Sequence, residues 1–286
     1  MNKIRLRTPI SYYGGKQKLA ARIVSLIPRH TLYCEPFVGG AAIFFAKRPS
    51  KVEVINDTNL ELVNFYRVAK EDFKGLEAEI RTSLHSRDLH RKAWVVYNNP
   101  ELFSDVKRAW AVWILSTQSF AGMLDGSWGF DISSNTTTRK VNSKRDGFTR
   151  VLSDRLQRCQ LECADALYVI ASRDTPDSFF YCDPPYYNSD LGHYDGYSER
   201  DYEELLYLLS RIKGKFLLSS YPSPPLERYT KQYGWQKWSV RQKVSVNAKG
   251  GDQKTKTEML VANYPIGEQL EADFDEPVDR EDDGTL

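Results

Sequence analysis

No apolar run in the chain approaches the roughly 20 residues that a membrane-spanning helix needs. The opening stretch, MNKIRLRTPISYYGG, lacks the apolar core of a secretory signal. A soluble, cytoplasmic protein is therefore expected. Cysteine is scarce: Cys34, Cys159, Cys163 and Cys182 have neither the paired spacing of a zinc site nor the density of a disulfide scaffold, so they read as reduced core thiols. Histidine is scarce too, and His30, His85, His90 and His193 are scattered with no ligand spacing. No metal site is expected.

What the chain does have is length and an uneven charge. Its 286 residues can bury a substantial core in one large domain that carries an insertion. The net charge of +2 conceals an asymmetry. The segment 267–286 holds 9 acidic residues and 1 arginine, so the remainder has 39 basic against 29 acidic residues, a net of +10. Such a body attracts a polyanion, and the tail EADFDEPVDREDDGTL has the composition of a disordered segment. A solubility role accounts for that tail more simply than mimicry of a nucleic acid.

SYYGGKQKLAARIVSLIP reads as a glycine turn followed by an amphipathic helix from about Gln17 to Ile27, stopped by Pro28. TLYCEPFVGG is a short strand ending in a glycine turn, AAIFFAKR a helix, and KVEVINDTN a second strand ending near Asp57. Strand, glycine turn, helix, and a strand ending in an acid open a nucleotide-binding α/β unit. From about Leu60 to Arg150 the strand pattern stops. Helical stretches such as DVKRAWAVWILSTQSF give way to a polar, basic run expected to be a loop or hairpin, too long to be a connection within a sheet. The sheet pattern then resumes with LECADALYVI, SFFYCDPPYY and KFLLSSYP, with helices over SERDYEELLYLLSRI and PPLERYTKQY. WQKWSVRQKVSV and KTEMLVANY read as a closing antiparallel pair.

The expected organisation is thus a discontinuous α/β domain over 1–60 and 151–266, a mainly helical insert over 61–150, and the acidic tail over 267–286.

The most telling stretch is FFYCDPPYYNSD, Phe179 to Asp190. Its apolar run reads as a buried parallel strand, which delivers Asp183 to the carboxyl edge of the sheet, where α/β proteins bind ligands. Pro184 and Pro185 fix two φ angles and remove two donors, so the carboxylate and nearby carbonyls keep one geometry. Asp183 and the Pro184 carbonyl can each accept one N–H of a planar exocyclic amine while Tyr186 stacks on the ring. Such a pocket suits an adenine or cytosine, and a base in a duplex can reach it only by flipping out. Asp57, one strand end away, can accept from two ribose hydroxyls or cap the helix that follows.

DPPY (Asp183 to Tyr186), YYGGK (Tyr12 to Lys16) and EPFVGG (Glu35 to Gly40) together closely resemble the Dam-like, D12-class (α-type) DNA adenine-N6 methyltransferases. The resemblance spans Ile10 to Tyr264. It implies a Rossmann-like α/β methyltransferase fold with an inserted target-recognition domain, S-adenosylmethionine as methyl donor, and double-stranded DNA as partner. It further implies that Tyr12 and Lys16 help to bind the cofactor, that Phe37, Gly39 and Gly40 shape its methionine pocket, and that Asp57 holds its ribose. Asp165, in ECADA, corresponds to the acid that contacts its adenine. Asp183, Pro184, Pro185 and Tyr186 correspond to the catalytic tetrad. The pattern departs from the family in two places: Ala41 stands where F-x-G-x-G has its last glycine, and QSFAGMLDGSWGFD lacks the hairpin signature of GATC-reading members.

Arg139, Lys140, Lys144, Arg145 and Arg150 are the expected phosphate contacts, with NAKGGDQKTK as a second basic loop. Either run can equally be a solvated face. A cytosine-N4 enzyme and an inactive DNA-binding homologue are the alternative readings. The family association also allows a cognate restriction endonuclease and a place at the nucleoid.

Overall fold

In the computed structural model, which describes residues 6–187, 197–243 and 255–266, the chain divides into two compact units. The first comprises residues up to Asp183 together with Ile212–Lys215, and the second comprises Pro184–Arg211 and the chain from Phe216 onward.

The apolar runs of the first unit become four parallel strands: β1 (Leu32–Glu35), β2 (Val52–Asn56), β3 (Cys159–Glu162) and β4 (Ser178–Cys182), in the order β3-β2-β1-β4. Every residue of β4 is buried, as a strand covered on both faces requires. Helix α1 (Ala20–Leu26) precedes β1, and crossovers run through α2 (Ala42–Ala46) between β1 and β2 and α9 (Ala166–Ser172) between β3 and β4. The long excursion between β2 and β3 is helical: α3 (Leu60–Glu71), α4 (Phe73–Arg81), α5 (Arg87–Asn98), α6 (Asp105–Gln118), α7 (Thr136–Asp146) and α8 (Arg150–Leu156).

Helix α6 is the axis of this excursion. Residues Ala109 to Leu115 are all buried, the signature of a helix surrounded by others. Its core is continuous with that of the strand layer, because Phe44, Phe45 and Ile55 belong to the same apolar cluster as Trp113 and Phe148. Side-chain caps start the helices where the sequence supplies them: Asn59 accepts from the Glu61 and Leu62 N–H groups, and Asp72, Ser86 and Ser104 cap α4, α5 and α6. Buried Glu53 on β2 ties α8 to the sheet, accepting from Arg155 at 2.5 Å and from Lys47 at 2.5 Å.

The second unit holds α10 (Glu199–Leu209), β5 (Lys215–Ser220) from Phe216 onward, α11 (Pro224–Tyr233), β6 (Gln236–Lys243) and β7 (Thr255–Ala262). Ser198 and Asp201 form a reciprocal capping box on α10. Gly234, at φ 65°, ends α11 in the left-handed conformation that glycine adopts at least cost. Strand β7 pairs antiparallel with both β5 and β6, as expected for the closing pair.

Three local expectations change. The polar run after α6 is a helix, α7, and not a loop; with Val141 as its one buried residue among polar and basic neighbours, it carries no apolar period to read. LECADALYVI is not one strand: β3 stops at Glu162, and Asp165 caps α9. Cys34, Cys159 and Cys182 are buried free thiols, whereas Cys163 is exposed. Among the described residues no helix is long and apolar enough to cross a membrane, and no group of three or more His, Cys, Asp or Glu side chains is placed to hold a metal ion. The basic loop NAKGGDQKTK lies almost wholly, and the acidic tail wholly, outside the described residues.

Candidate active site

Strand β4 ends at Cys182, so Asp183 emerges at the carboxyl edge of the first unit, next to β1. Lys16 Nζ lies 2.9 Å from Asp183 Oδ1 and also donates to the Gly14 carbonyl at 2.9 Å. Lys16 is buried, and the Asp183 side chain is 18% exposed. Two motifs more than 160 residues apart in the chain therefore share one ion pair.

Around it the strand ends are tied together. Asp57, just past β2, accepts from the Gly39 N–H at 3.0 Å through Oδ2 and from the Asn59 N–H at 3.0 Å through Oδ1. Burial holds its carboxyl above the usual aspartate range, although these N–H donors pull the other way. The helix cap itself is Asn59, which leaves Asp57 to brace the glycine turn.

Gly39 sits at φ 45°, and a Cβ there would meet the Tyr12 ring at 3.0 Å; a Cβ on Gly40 would meet Tyr12 Cβ at 3.0 Å. Tyr12 thus packs directly on the turn, and both glycines are needed for that approach. Ala41 takes φ 55°, ψ 34°, the left-handed conformation, at the position of the missing glycine. Phe37 is half-buried in the same turn, and Asp165 is exposed, accepting from the Tyr168 N–H at 3.0 Å.

In the second unit, Pro184 is buried and Tyr186 is half-buried. The Tyr186 hydroxyl donates to Glu258 Oε1 at 2.9 Å, and its ring centroid lies 4.4 Å from that of Tyr221.

A profile of the D12 class N6 adenine-specific DNA methyltransferases matches residues 12–243. The chain belongs to this family. Among its relatives, Type II methyltransferase M1.LlaDCHI of Lactococcus lactis subsp. cremoris is 28% identical over 92% of this chain and 97% of that protein. DNA N-6-adenine-methyltransferase of Escherichia phage P1 is 24% identical over 85% of this chain and 34% of its own, longer chain. Type II methyltransferase M.MjaIII of Methanocaldococcus jannaschii is 25% identical over 89% of this chain and 98% of that protein. The D12-class protein described here is an adenine-specific DNA methyltransferase with the Rossmann-like α/β fold of that class, and its substrate is DNA. Adenine, and not cytosine, is the base.

Membership of a methyltransferase family implies S-adenosylmethionine as donor. The donor set fits that molecule: an acid beyond β2, an aromatic ring on a glycine turn, and a buried ammonium beside them offer partners for a diol, an adenosyl group and a carboxylate.

Several supporting residues escape a reading of the sequence. Asn56 is fully buried; its amide donates to the Pro36 carbonyl at 2.9 Å and the Ala164 carbonyl at 3.0 Å, and its oxygen accepts from the Ala164 N–H at 2.9 Å. It clamps three strand ends, and its place beside Asp57 is the only hint the sequence offers. Tyr66, also buried, donates to the Gly39 carbonyl at 2.7 Å.

The basic residues divide. Arg139 and Lys140 are exposed on α7. Lys144 turns inward and donates to the Thr8 carbonyl, the Thr8 hydroxyl and the Ile10 carbonyl at 2.6, 2.9 and 3.0 Å; burial lowers its ammonium to about 8. Arg145 donates to the Ser83 carbonyl, and Arg150 pairs with Asp154 at 3.1 Å.

Proposed function

We propose that the run Asp183-Pro184-Pro185-Tyr186 carries methyl transfer to the N6 of an adenine flipped out of double-stranded DNA. The observation that supports this most is the 2.9 Å pair of Lys16 with Asp183, which joins the glycine-turn motif to the acid that follows the buried strand. Tyr12, Lys16, Phe37, Gly39, Gly40, Asp57 and Asp165 are the proposed contacts to S-adenosylmethionine, which when bound supplies an activated methyl group on its sulfonium.

The adenine amino nitrogen is a poor nucleophile because its lone pair is conjugated into the ring. Asp183 and the Pro184 carbonyl accept its two N–H bonds, favouring a pyramidal nitrogen and stabilising the positive charge that grows on it, and one of these two protons leaves along its hydrogen bond so that the methylated nitrogen ends neutral. The prolines hold these acceptors rigid before the base arrives, and the Tyr186 ring captures the base by stacking. No covalent enzyme intermediate is required.

Arg139 and Lys140 are the proposed phosphate contacts, with Arg145 and Arg150 available to exchange their present partners for phosphate. Lys144 takes part only through the N-terminal segment it holds. DNA affinity should fall steeply with salt, as counterion release requires. A cognate endonuclease and a nucleoid location are further parts of this proposal, resting on the family association alone.

The test is to incubate the protein with unmethylated DNA and isotopically labelled S-adenosylmethionine, digest to nucleosides and identify the labelled one by mass. Label in N6-methyldeoxyadenosine is expected, and mapping it gives the recognition sequence. Asp183→Ala should abolish the label while calorimetry still detects cofactor binding, because the group removed acts on the transition state. Near-normal turnover by that variant overturns the assignment.

A further inference from the structure

The second unit contains a buried carboxyl that the proposed chemistry does not use. Glu258 stands on β7, where it is 7% exposed. Across the β5–β7 pair Ser219 faces Leu260, and Glu258, two residues before Leu260, lies on the same sheet face. Ser219 is fully buried and donates to Glu258 Oε1 at 2.6 Å. The Tyr186 hydroxyl, 2.9 Å from Ser219 Oγ, donates to the same Oε1 at 2.9 Å.

A carboxyl in a sheet interior is costly to bury, and an aliphatic side chain would pack the position more cheaply. Here two hydroxyls converge on one of its oxygens, and one of them is the far end of the Tyr186 ring. A tyrosine held only by its Cα can swing about two side-chain torsions. The hydroxyl anchor fixes the direction of the ring axis, and Tyr221, its centroid 4.4 Å away, bounds rotation of the ring plane about that axis.

We infer that Glu258 is a positioning residue for methyl transfer: through its hydrogen bonds with Tyr186 and Ser219 it presets the ring face that receives the flipped adenine. This rests on the reading of Tyr186 as the base-stacking residue. Preorganisation of this kind removes an ordering cost at the moment of capture and so acts on base stabilisation and turnover, leaving cofactor affinity alone.

The experiment uses the full-length protein and a duplex holding the mapped recognition sequence, with 2-aminopurine at the target adenine to report the unstacked base. Parallel assays on the natural duplex give kcat and KM. For Glu258→Leu, kcat is expected to fall about tenfold, the size expected for losing one well-made hydrogen bond. The 2-aminopurine emission change should shrink with it, while cofactor affinity measured by calorimetry stays at the wild-type value. Glu258→Gln keeps an oxygen acceptor and should recover most of both signals. In the Tyr186→Phe background, which lacks the hydroxyl, adding Glu258→Leu should cost little further.

Wild-type emission and turnover in Glu258→Leu overturn the inference, as does full additivity of the Tyr186→Phe and Glu258→Leu effects. Equal losses of cofactor affinity and base emission also overturn it, because they indicate a structural role. If Glu258→Leu does not fold, Tyr186→Phe alone decides, since it removes the hydroxyl that Glu258 holds, and wild-type emission and turnover in it overturn the inference. A Tyr186→Ala variant with wild-type emission overturns the base-stacking reading itself. Impaired Tyr186→Ala beside normal Glu258→Leu overturns the positioning role alone.

Discussion

Lys16 Nζ stands 2.9 Å from Asp183 Oδ1, so a lysine from the first motif of the chain neutralises the acid delivered by β4. The pair is largely removed from water, and Lys16 gives a further hydrogen bond to Gly14. Lysine supplies a point charge there without occupying both carboxylate oxygens in the way a bidentate arginine would.

Lys16→Met keeps the unbranched stem, one atom shorter, and removes the charge. Asp183 is partly reached by solvent, which offsets some of the loss, so stability should fall by only about 1–2 kcal/mol. Turnover should fall by about ten- to hundredfold, because the acid loses its fixed orientation as well as its counter-charge. Urea denaturation and steady-state methylation measure the two effects separately. A variant destabilised by this amount yet fully active would limit the lysine to a structural role.

Ala41 poses a question of competing magnitudes. Its φ of 55° costs an alanine about 1–2 kcal/mol. Glycine would relieve that strain but would remove a fully buried methyl group worth about 0.8 kcal/mol and would raise unfolded-chain entropy by about 0.4–1 kcal/mol. These terms nearly cancel, and Ala41→Gly should change stability by less than about 1 kcal/mol. Ala41→Val meets the same φ with a β-branched side chain and should destabilise by more than about 2 kcal/mol. Thermal melts of both variants check the order, and equal melting temperatures would mean that the turn can adapt.

Asn56 makes its three hydrogen bonds from a fully buried position, to chain segments beyond β1 and β3. Asn56→Leu should cost about 3 kcal/mol, roughly 1 kcal/mol for each bond whose backbone partner stays buried. Because Asp57 follows in the chain and braces Gly39, the variant should also bind S-adenosylmethionine more weakly, while Asn64→Ala, inside α3 and bonded to the Asp105 carbonyl, should not. Calorimetric titration of the two variants distinguishes local damage at the site from a general loss of stability.

Much of this arrangement is legible in the sequence for a simple reason. β1, β2 and β4 are apolar runs that end on Glu-Pro, Asn-Asp and Asp-Pro, so the chain announces both the strand and the point where it delivers a polar group. What stays hidden is whatever depends on partners distant in the chain or on helices without an apolar stripe. Helix α7 has one buried residue and reads as a loop. Asp165 ends what looks like a strand because its side chain caps a helix. Lys144 looks like a surface cation until three oxygens from the N-terminal segment are found around it. Glu258 lies in TEMLVA, where Leu260 and Val261 are both buried, so no alternation marks its side chain as inward-facing. Its partner Tyr186 is 72 residues away.

Glu35 gives the enzyme a pH dependence that can be assigned a sign. It ends β1, is 2% exposed and accepts a hydrogen bond from the Tyr33 hydroxyl at 2.6 Å. Burial raises its carboxyl to about 8, with the Tyr33 hydrogen bond opposing and the nearby Asp183 charge adding to the rise. The folded protein therefore holds a proton that the unfolded chain, with an ordinary glutamate near 4.5, has released. Stability from this group is fully present below the unfolded value and is lost as pH rises from about 4.5 through about 8. Glu35→Gln keeps an acceptor for Tyr33 and cannot ionise, so its stability should vary less across that window than that of the wild type, and the two curves should diverge most at the alkaline end. Urea denaturation at several pH values between 5 and 9 measures the difference. Parallel curves for the two proteins would mean that Glu35 is ionised in the folded state, with its charge held by the surrounding donors.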